Sequence, residues 1–155
     1  MIQPVWGRPA LAALFVALAA PASADAILQV VDRQDRTVVQ MLFDGREICL
    51  EWAHSVTGGA VADCFVARDG RLVLMRSYLH DFAAGLGEVL GRGTLTSAEG
   101  GGYWITGIDE VMPSSGLPLR VGAPRVGHRL RQGNDTINLS DLVANRRVTL
   151  RVVNN

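Results

Sequence analysis

Residues 47–78 read EICLEWAHSVTGGAVADCFVARDGRLVLMRSY. Apolar and polar side chains alternate through most of this stretch, and two pairs of turn-forming residues, Gly58-Gly59 and Asp69-Gly70, interrupt it. A period of two is typical of a β-strand with one buried face, and Gly-Gly or Asp-Gly between two such runs favours a hairpin. We therefore predict three adjacent antiparallel strands in this part of the chain.

The alternating pattern continues through the rest of the chain. Turn-forming residues separate ten candidate strands, at 27–32, 37–43, 47–56, 60–68, 71–78, 94–98, 103–108, 117–121, 128–131 and 147–153. Many short strands at regular spacing predict a single all-β domain, built as an antiparallel sandwich or a small barrel. We expect at most one short helix, with Ser140 as its N-cap and with Leu142 and Val143 facing inward.

The two turns also predict which residues face one another. If Asp69-Gly70 is a two-residue hairpin turn, Asp63 lies opposite Arg76; if Gly58-Gly59 is another, His54 lies opposite Asp63. The same turns predict the apolar pairs Phe65–Leu74, Ala67–Leu72 and Trp52–Phe65. His54, Asp63 and Arg76 would then form one charged row across three strands.

This charged row has two interpretations. It is either a row of polar side chains that hydrogen-bond to one another and set the strand register, or a ligand-facing row in which Arg76 binds a small carboxylate through two nitrogens of its guanidinium group. In either case Asp63 would have a cation on each side, so we expect its pKa to be lowered.

The two cysteines test this register. In an oxidising compartment Cys49 and Cys64 would normally form a disulfide. Under the Gly58-Gly59 register, however, they lie about four residues apart along the strands, roughly 13 Å at 3.3 Å per residue, and bridging requires Cα atoms within about 7 Å. A disulfide would instead require Trp52 to face Val61. Both arrangements remain open at this stage.

An irregular stretch, 79–88, follows the third strand. It contains Asp81, Gly85 and Leu86, and glycines allow backbone amides to approach a ligand closely. We include these three residues with the charged row as candidate ligand or partner contacts. The alternative is a folded surface loop pinned by Phe82 and Leu86.

The first 24 residues predict export. Their single charge, Arg8, precedes an apolar run of about 11 residues, which ends in Pro21 and the small-residue site Ala22-Ser23-Ala24. This is the layout of a cleavable signal peptide, and the run is shorter than the roughly 20 residues that span a bilayer. We expect a periplasmic domain, 25–155, without a membrane span after cleavage.

Composition and motifs exclude several function classes. The 15 basic residues balance 15 acidic ones, which predicts no attraction to nucleic acid or to anionic membranes. The sequence lacks the common hydrolase, phosphate-loop and dinucleotide-binding motifs, and no two histidines have ligand spacing. We therefore predict a protein that is not an enzyme and has no cofactor; a metal site drawing on His54, Asp63, His80, Asp81 and His128 is a weak alternative.

The order of these short motifs resembles a known family. His54-Ser55-Val56, Gly58-Gly59, Asp63, Asp69-Gly70 and the 81–86 segment follow one another as in DUF1850, a family of small exported bacterial proteins of unknown function. The resemblance covers about residues 38–153, although Ala83 stands where the family loop has glycine.

The resemblance implies a neighbourhood and no reaction. Members of the family are typically encoded beside TAXI-type TRAP transporters of organic acids, so the expected partner is such a permease or its solute-binding protein. We expect a non-catalytic periplasmic accessory protein of the transporter. The alternative is a free-standing periplasmic protein that binds a small anionic ligand or a metal.

Overall fold

The computed structural model describes residues 26–81 and 92–154. In these ranges the chain forms eleven strands and one short helix. Their bounds are β1 Ala26–Val31, β2 Thr37–Leu42, β3 Ile48–Ala53, β4 Ala60–Arg68, β5 Arg71–Leu79, β6 Thr94–Ser97, β7 Tyr103–Val111, β8 Leu117–Arg120, β9 Arg129–Gln132, β10 Asp135–Asn138, α1 Leu139–Val143 and β11 Arg147–Asn154.

The strands form two antiparallel sheets. The smaller sheet has the order β2-β1-β11-β8, and the larger has the order β10-β9-β3-β4-β5-β7-β6. The predicted all-β fold is confirmed. Because the described strands form two sheets and do not close into a barrel, the architecture is a sandwich.

Alternation along the strands supplies the core between the sheets. Every second side chain points inward, and the buried apolar cluster draws on both sheets: Leu28, Val30, Met41, Val148 and Leu150 from the smaller one, and Ile48, Leu50, Phe65, Leu72, Leu74 and Leu130 from the larger. Burying one such aliphatic or aromatic side chain contributes roughly 1.5–3 kcal/mol. This core joins the two sheets and orients the loops at their ends.

The Asp69-Gly70 hairpin is confirmed. Phe65 faces Leu74 and Ala67 faces Leu72, and both turn residues have positive φ, 52° and 69°, as a type I′ turn requires. A bulge then interrupts the ladder at Met75, so that Asp63 faces Ser77. The predicted pairing of Asp63 with Arg76 is therefore wrong, because the extra residue shifts the register by one.

The predicted Gly58-Gly59 hairpin is also wrong. The connection is a six-residue loop, 54–59, in which the His54 N–H donates to the Gly59 carbonyl over 2.8 Å. Of the two glycines only Gly58 has positive φ, 73°. Two residues of positive φ are needed for a type I′ turn, so Gly58-Gly59 does not form one. The observed pairing of β3 with β4 is shifted by four residues from the predicted pairing.

The resulting register forms the disulfide. Cys49 faces Cys64, their Cα atoms lie 4.0 Å apart and their sulfurs are bonded. Trp52 faces Val61 instead of Phe65. This disulfide settles the alternative that the sequence leaves open, and it also removes His54 from the row that Asp63 occupies.

Two smaller expectations fail near the C-terminal half. The sequence pattern does not predict β10, which pairs with β9 across a turn at Gly133-Asn134. The predicted short helix is present, but it begins one residue before the expected N-cap, with Asn138 as its N-cap. Leu142 is exposed, whereas Val143 packs against the core as predicted. A five-residue helix has little periodicity, so its inward face is set by packing.

The predicted signal peptide lies outside the described residues. Among the residues that are described, no helix is long and apolar enough to cross a membrane.

Candidate functional site

The predicted charged row separates into three different environments. The Asp63 side chain lies on the inner face of the larger sheet, because Asp63 pairs with the core residue Leu50 and is two residues from Phe65. Arg76 lies opposite Cys64 on the outer face. His54 belongs to the loop after β3. The structure therefore does not bring these three side chains together.

Asp63 has a hydroxyl partner instead of two cations. The Ser77 hydroxyl donates to its carboxylate over 2.5 Å. Burial on the inner face raises the pKa of Asp63 above its usual value of 3.8, and the Ser77 hydrogen bond only partly opposes that increase. The expected lowering of the Asp63 pKa is contradicted, since desolvation disfavours the charged carboxylate.

Arg76 is already engaged on the outer face. Its Nε and one terminal nitrogen both donate to Glu47 over 2.8 Å, and its guanidinium carbon lies 4.3 Å from the centre of the Trp104 ring. These contacts occupy much of the fork with which Arg76 was expected to bind a carboxylate. Arg76 therefore does not occupy the free position beside Asp63 that the predicted row gives it.

The remaining candidates have separate positions. Asp81 lies at the end of β5 beside the 54–59 loop, where its carboxylate would be 2.6 Å from a Cβ placed at Gly59. Gly85 and Leu86 lie outside the described residues, and their role as contacts stays a prediction.

His54 lines a cavity at one end of the sandwich. We call this space, of about 390 Å³, the histidine cavity; its lining residues are Trp52, His54, Ser55, Arg120, Val121, Gly122, Val126, His128 and Asn145. The His54 ring also stabilises its own loop, since the Thr57 N–H donates to Nδ1 over 3.3 Å. Both sheets contribute to the cavity, because β8 belongs to the smaller sheet and β3 to the larger.

His128 forms an uncharged wall of the histidine cavity. Its ring stacks on Trp52, with centroids 5.6 Å apart and an interplanar angle of 12°. The Gly122 N–H donates to His128 Nδ1 over 3.0 Å, so the ring proton of the neutral form lies on Nε2. Burial lowers the pKa of His128 below its usual 6.5, which leaves the ring neutral at pH 7.

A second cavity adjoins the first. We call this space, of about 370 Å³, the arginine cleft; it is lined by Asp32, Arg33, Gln34, Arg120, Asn145, Arg146 and Arg147. Arg120 and Asn145 belong to both cavities. Asn145 has a φ of 61°, a left-handed conformation that asparagine tolerates better than most residues. The two cavities are therefore neighbours at the same end of the molecule.

The arginine cleft has an excess of positive charge. Arg120 and Arg147 are direct cross-strand partners, and like charges in that position repel. Within the described ranges, none of the four cleft arginines forms an ion pair. The lining carboxylate, Asp32, receives both Nε and a terminal nitrogen of Arg36, at 2.8 and 2.7 Å. The cleft therefore offers guanidinium groups to an anion.

Metal ligands are poorly grouped in the described part of the chain. One set of three potential ligands lies close together there, namely Glu47, Cys49 and Cys64. The two sulfurs are bonded to each other, and a metal binds the thiolate form of cysteine. This set does not fit a metal while the disulfide is intact.

Sequence reasoning missed the arginine cleft. Its cations come from the turn after β1, the end of β8 and the start of β11. The adjacent pair Arg146-Arg147 is the only local signal, and a pair of arginines in a chain with 15 is weak evidence for a site.

Comparison with known proteins identifies one region of similarity. The family described as domain of unknown function DUF1850 matches residues 48–139, which is more than half of the chain. This match includes β3 to β10 and most of the lining of the histidine cavity. Neither the curated proteins nor the solved structures provide a match.

Proposed function

This chain belongs to the DUF1850 family, and from that premise we propose that it is a non-catalytic periplasmic accessory protein of a TAXI-type TRAP transport system for organic acids. Its partner in this proposal is the permease or the solute-binding protein of that system. The transporter association comes from the family resemblance, and the periplasmic location comes from the predicted signal peptide.

The arginine cleft is the observation that carries the proposal. Organic acids present carboxylates, and arginine recognises a carboxylate through two parallel, charge-assisted hydrogen bonds. Four guanidinium groups without a carboxylate partner among the described residues line one concave surface. That surface suits the solute itself or a carboxylate on a partner protein.

A deletion strain tests the accessory role. Uptake of labelled organic acids by the TRAP system should change when this gene is deleted, and the wild-type gene should restore it. Arg147→Gln should restore uptake poorly, because it removes a cleft cation. Arg68→Gln should restore it fully, since Arg68 pairs with exposed Asp109 at a different site.

The amount of permease in the deletion strain is measured as a control, because loss of the permease alone would also reduce uptake. Unchanged uptake in the deletion strain, with the permease present at its normal level, would contradict the accessory role. Turnover of an organic acid by the purified protein would contradict the non-catalytic part of the proposal. Retention of the protein in the cytoplasm of cells that export a control periplasmic protein would contradict the location.

The second candidate function is a free-standing periplasmic protein that binds a small anion. The same unpaired arginines favour it, since they need no partner protein to bind a carboxylate. Binding of organic acids by the purified protein, together with normal uptake in the deletion strain, would select this candidate. One equivalent of metal retained after purification without chelator would instead support the metal form of this alternative.

A further inference from the structure

We infer that the arginine cleft and the histidine cavity form one site for an organic anion with a carboxylate head and an aromatic or bulky apolar body. The carboxylate lies against the arginines, and the body lies beside Trp52 and His128. The inference rests on the anion-binding role proposed above and names the chemical class of the ligand.

Shared residues place the two cavities side by side. Arg120 and Asn145 line both of them, so a ligand that contacts Arg120 from the cleft also borders the histidine cavity. Each space lies within the range of about 300–1,000 Å³ that is usual for small-molecule sites. A ligand of ordinary metabolite size has room to extend from one into the other.

The cleft favours an anionic head for an electrostatic reason. Arg120 and Arg147 are partners on neighbouring strands, and Arg146 directly precedes Arg147 in the sequence. Holding these like charges together costs free energy that a bound carboxylate would offset. Asp32 offsets little of this repulsion, because its carboxylate is already paired with the Arg36 guanidinium at 2.7 Å.

The histidine cavity favours an uncharged body. The stacked rings of Trp52 and His128 provide flat surface, and Val126 adds aliphatic surface. Gly122 allows Val126 to pack closely against this wall, since a Cβ there would lie 2.7 Å from the Val126 side chain. His128 carries no charge at pH 7, so it does not attract a second carboxylate.

This division of chemistry selects the ligand class. An inorganic anion would occupy only the arginine cleft, and a neutral aromatic compound only the histidine cavity. An aromatic monocarboxylate satisfies both surfaces at once. Arg120 is the arginine on the lining of the histidine cavity and is shared with the cleft, so a dicarboxylate whose first charge engages it would place its second charge beside Trp52 and Val126, where desolvation is unfavourable.

Calorimetric titration of the full mature protein at low ionic strength tests the inference, with phenylacetate, acetate and inorganic phosphate as probes. Phenylacetate should bind at least about tenfold more tightly than acetate, because it also buries its ring. Arg147→Gln should weaken both carboxylates by about tenfold or more. Arg68→Gln, at a paired arginine elsewhere, should leave both unchanged.

A second variant separates the head from the body. Ser55 is an exposed residue on the lining of the histidine cavity, so Ser55→Phe should fill that space without a large loss of stability. It should reduce the affinity for phenylacetate to that for acetate and leave acetate binding intact. Thermal unfolding of the variant verifies that the fold is retained.

The possible failures are distinguishable. Equal affinity for phenylacetate and acetate, or phenylacetate binding that survives Ser55→Phe, would overturn the ligand class and leave an anion site. Phenylacetate binding that survives Arg147→Gln would overturn the assignment of the carboxylate to the arginine cleft. Binding of none of the three probes would overturn the ligand class and the anion-binding role together. The transport role is decided separately, by uptake in the deletion strain.

Discussion

At the residue scale, Asp63 illustrates how position outweighs residue type. A carboxylate on the inner face of a sandwich loses hydration, and one hydroxyl donor does not replace it fully. Its pKa is therefore raised. The unfolded chain releases this proton at a lower pH than the folded protein, so Asp63 reduces stability as pH rises from about 3.8 through its folded pKa.

Replacing Asp63 should remove that pH dependence. We expect Asp63→Asn to gain stability relative to the wild type as the pH rises from 4 to 7, because the amide still accepts from Ser77 and has no charge to desolvate. Urea unfolding at several pH values measures this difference. Glu99→Gln, at an exposed carboxylate, is the control. A relative stability that falls with pH would contradict the argument.

Ser140 is a second residue whose role depends on burial. It is 1% exposed; its hydroxyl accepts from the His128 N–H over 2.9 Å and donates to the Gly122 carbonyl over 3.1 Å. These two bonds connect segments that line the histidine cavity.

We expect Ser140→Ala to destabilise the fold by about 1–3 kcal/mol, because it leaves the buried His128 N–H without this acceptor. Chemical denaturation gives the change in unfolding free energy. Ser115→Ala, at an exposed position, should change it by less than about 0.5 kcal/mol. An equal effect of the two substitutions would show that the hydroxyl contributes nothing.

At the element scale, the β3–β4 pair depends on the disulfide. The bridge closes a segment with a sequence separation of 15 residues, and the 54–59 loop has no two-residue turn to hold the strands in register. Cross-linking reduces the entropy of the unfolded chain, by about 3 kcal/mol for a loop of 15 residues.

The double substitution Cys49→Ala with Cys64→Ala should therefore lower the free energy of unfolding by about 2–4 kcal/mol. Urea unfolding of the variant and of the oxidised wild type measures the loss. Dithiothreitol should destabilise the wild type and leave the variant unaffected. A variant as stable as the oxidised protein would show that packing alone holds the strands.

At the scale of the whole molecule, arginines from distant segments of the chain converge at one end of the smaller sheet. Because Arg120 and Arg147 are cross-strand partners of like charge, this arrangement lowers the stability of the fold. Exposed charges are screened by salt, with a Debye length of about 10 Å at 0.1 M, so the repulsion within the cleft is largest at low ionic strength.

We expect Arg147→Gln to raise the stability of the ligand-free protein by a few tenths of a kcal/mol to about 1 kcal/mol at low salt, because it removes the like-charge pair with Arg120. Added sodium chloride should shrink this difference. Thermal unfolding at 10 mM and 500 mM salt, as chosen test conditions, measures it. A variant less stable than the wild type at low salt would contradict mutual repulsion.

The sequence alone determined the fold class and the register of one hairpin from its turn as far as the Phe65–Leu74 pair. Alternation specifies which side chains face the core, and Asp69-Gly70 can adopt the two positive φ angles that a tight turn needs. At 54–59 the Gly58-Gly59 pair did not predict the register, since the connection is a six-residue loop and the observed register differs from the predicted one by four residues. An even shift leaves every side chain on the same face, so the hydrophobic pattern could not choose between them.

Only the tertiary structure decided the register of β3 on β4 and the position of the arginine cleft. The disulfide and the longer loop select one of two registers that bury the same faces. The cleft collects Arg33, Arg120, Arg146 and Arg147 from three segments. Local patterns encode strands and turns because neighbours in sequence share a backbone, whereas these cations meet because β1, β11 and β8, which are distant in sequence, pair side by side in the smaller sheet.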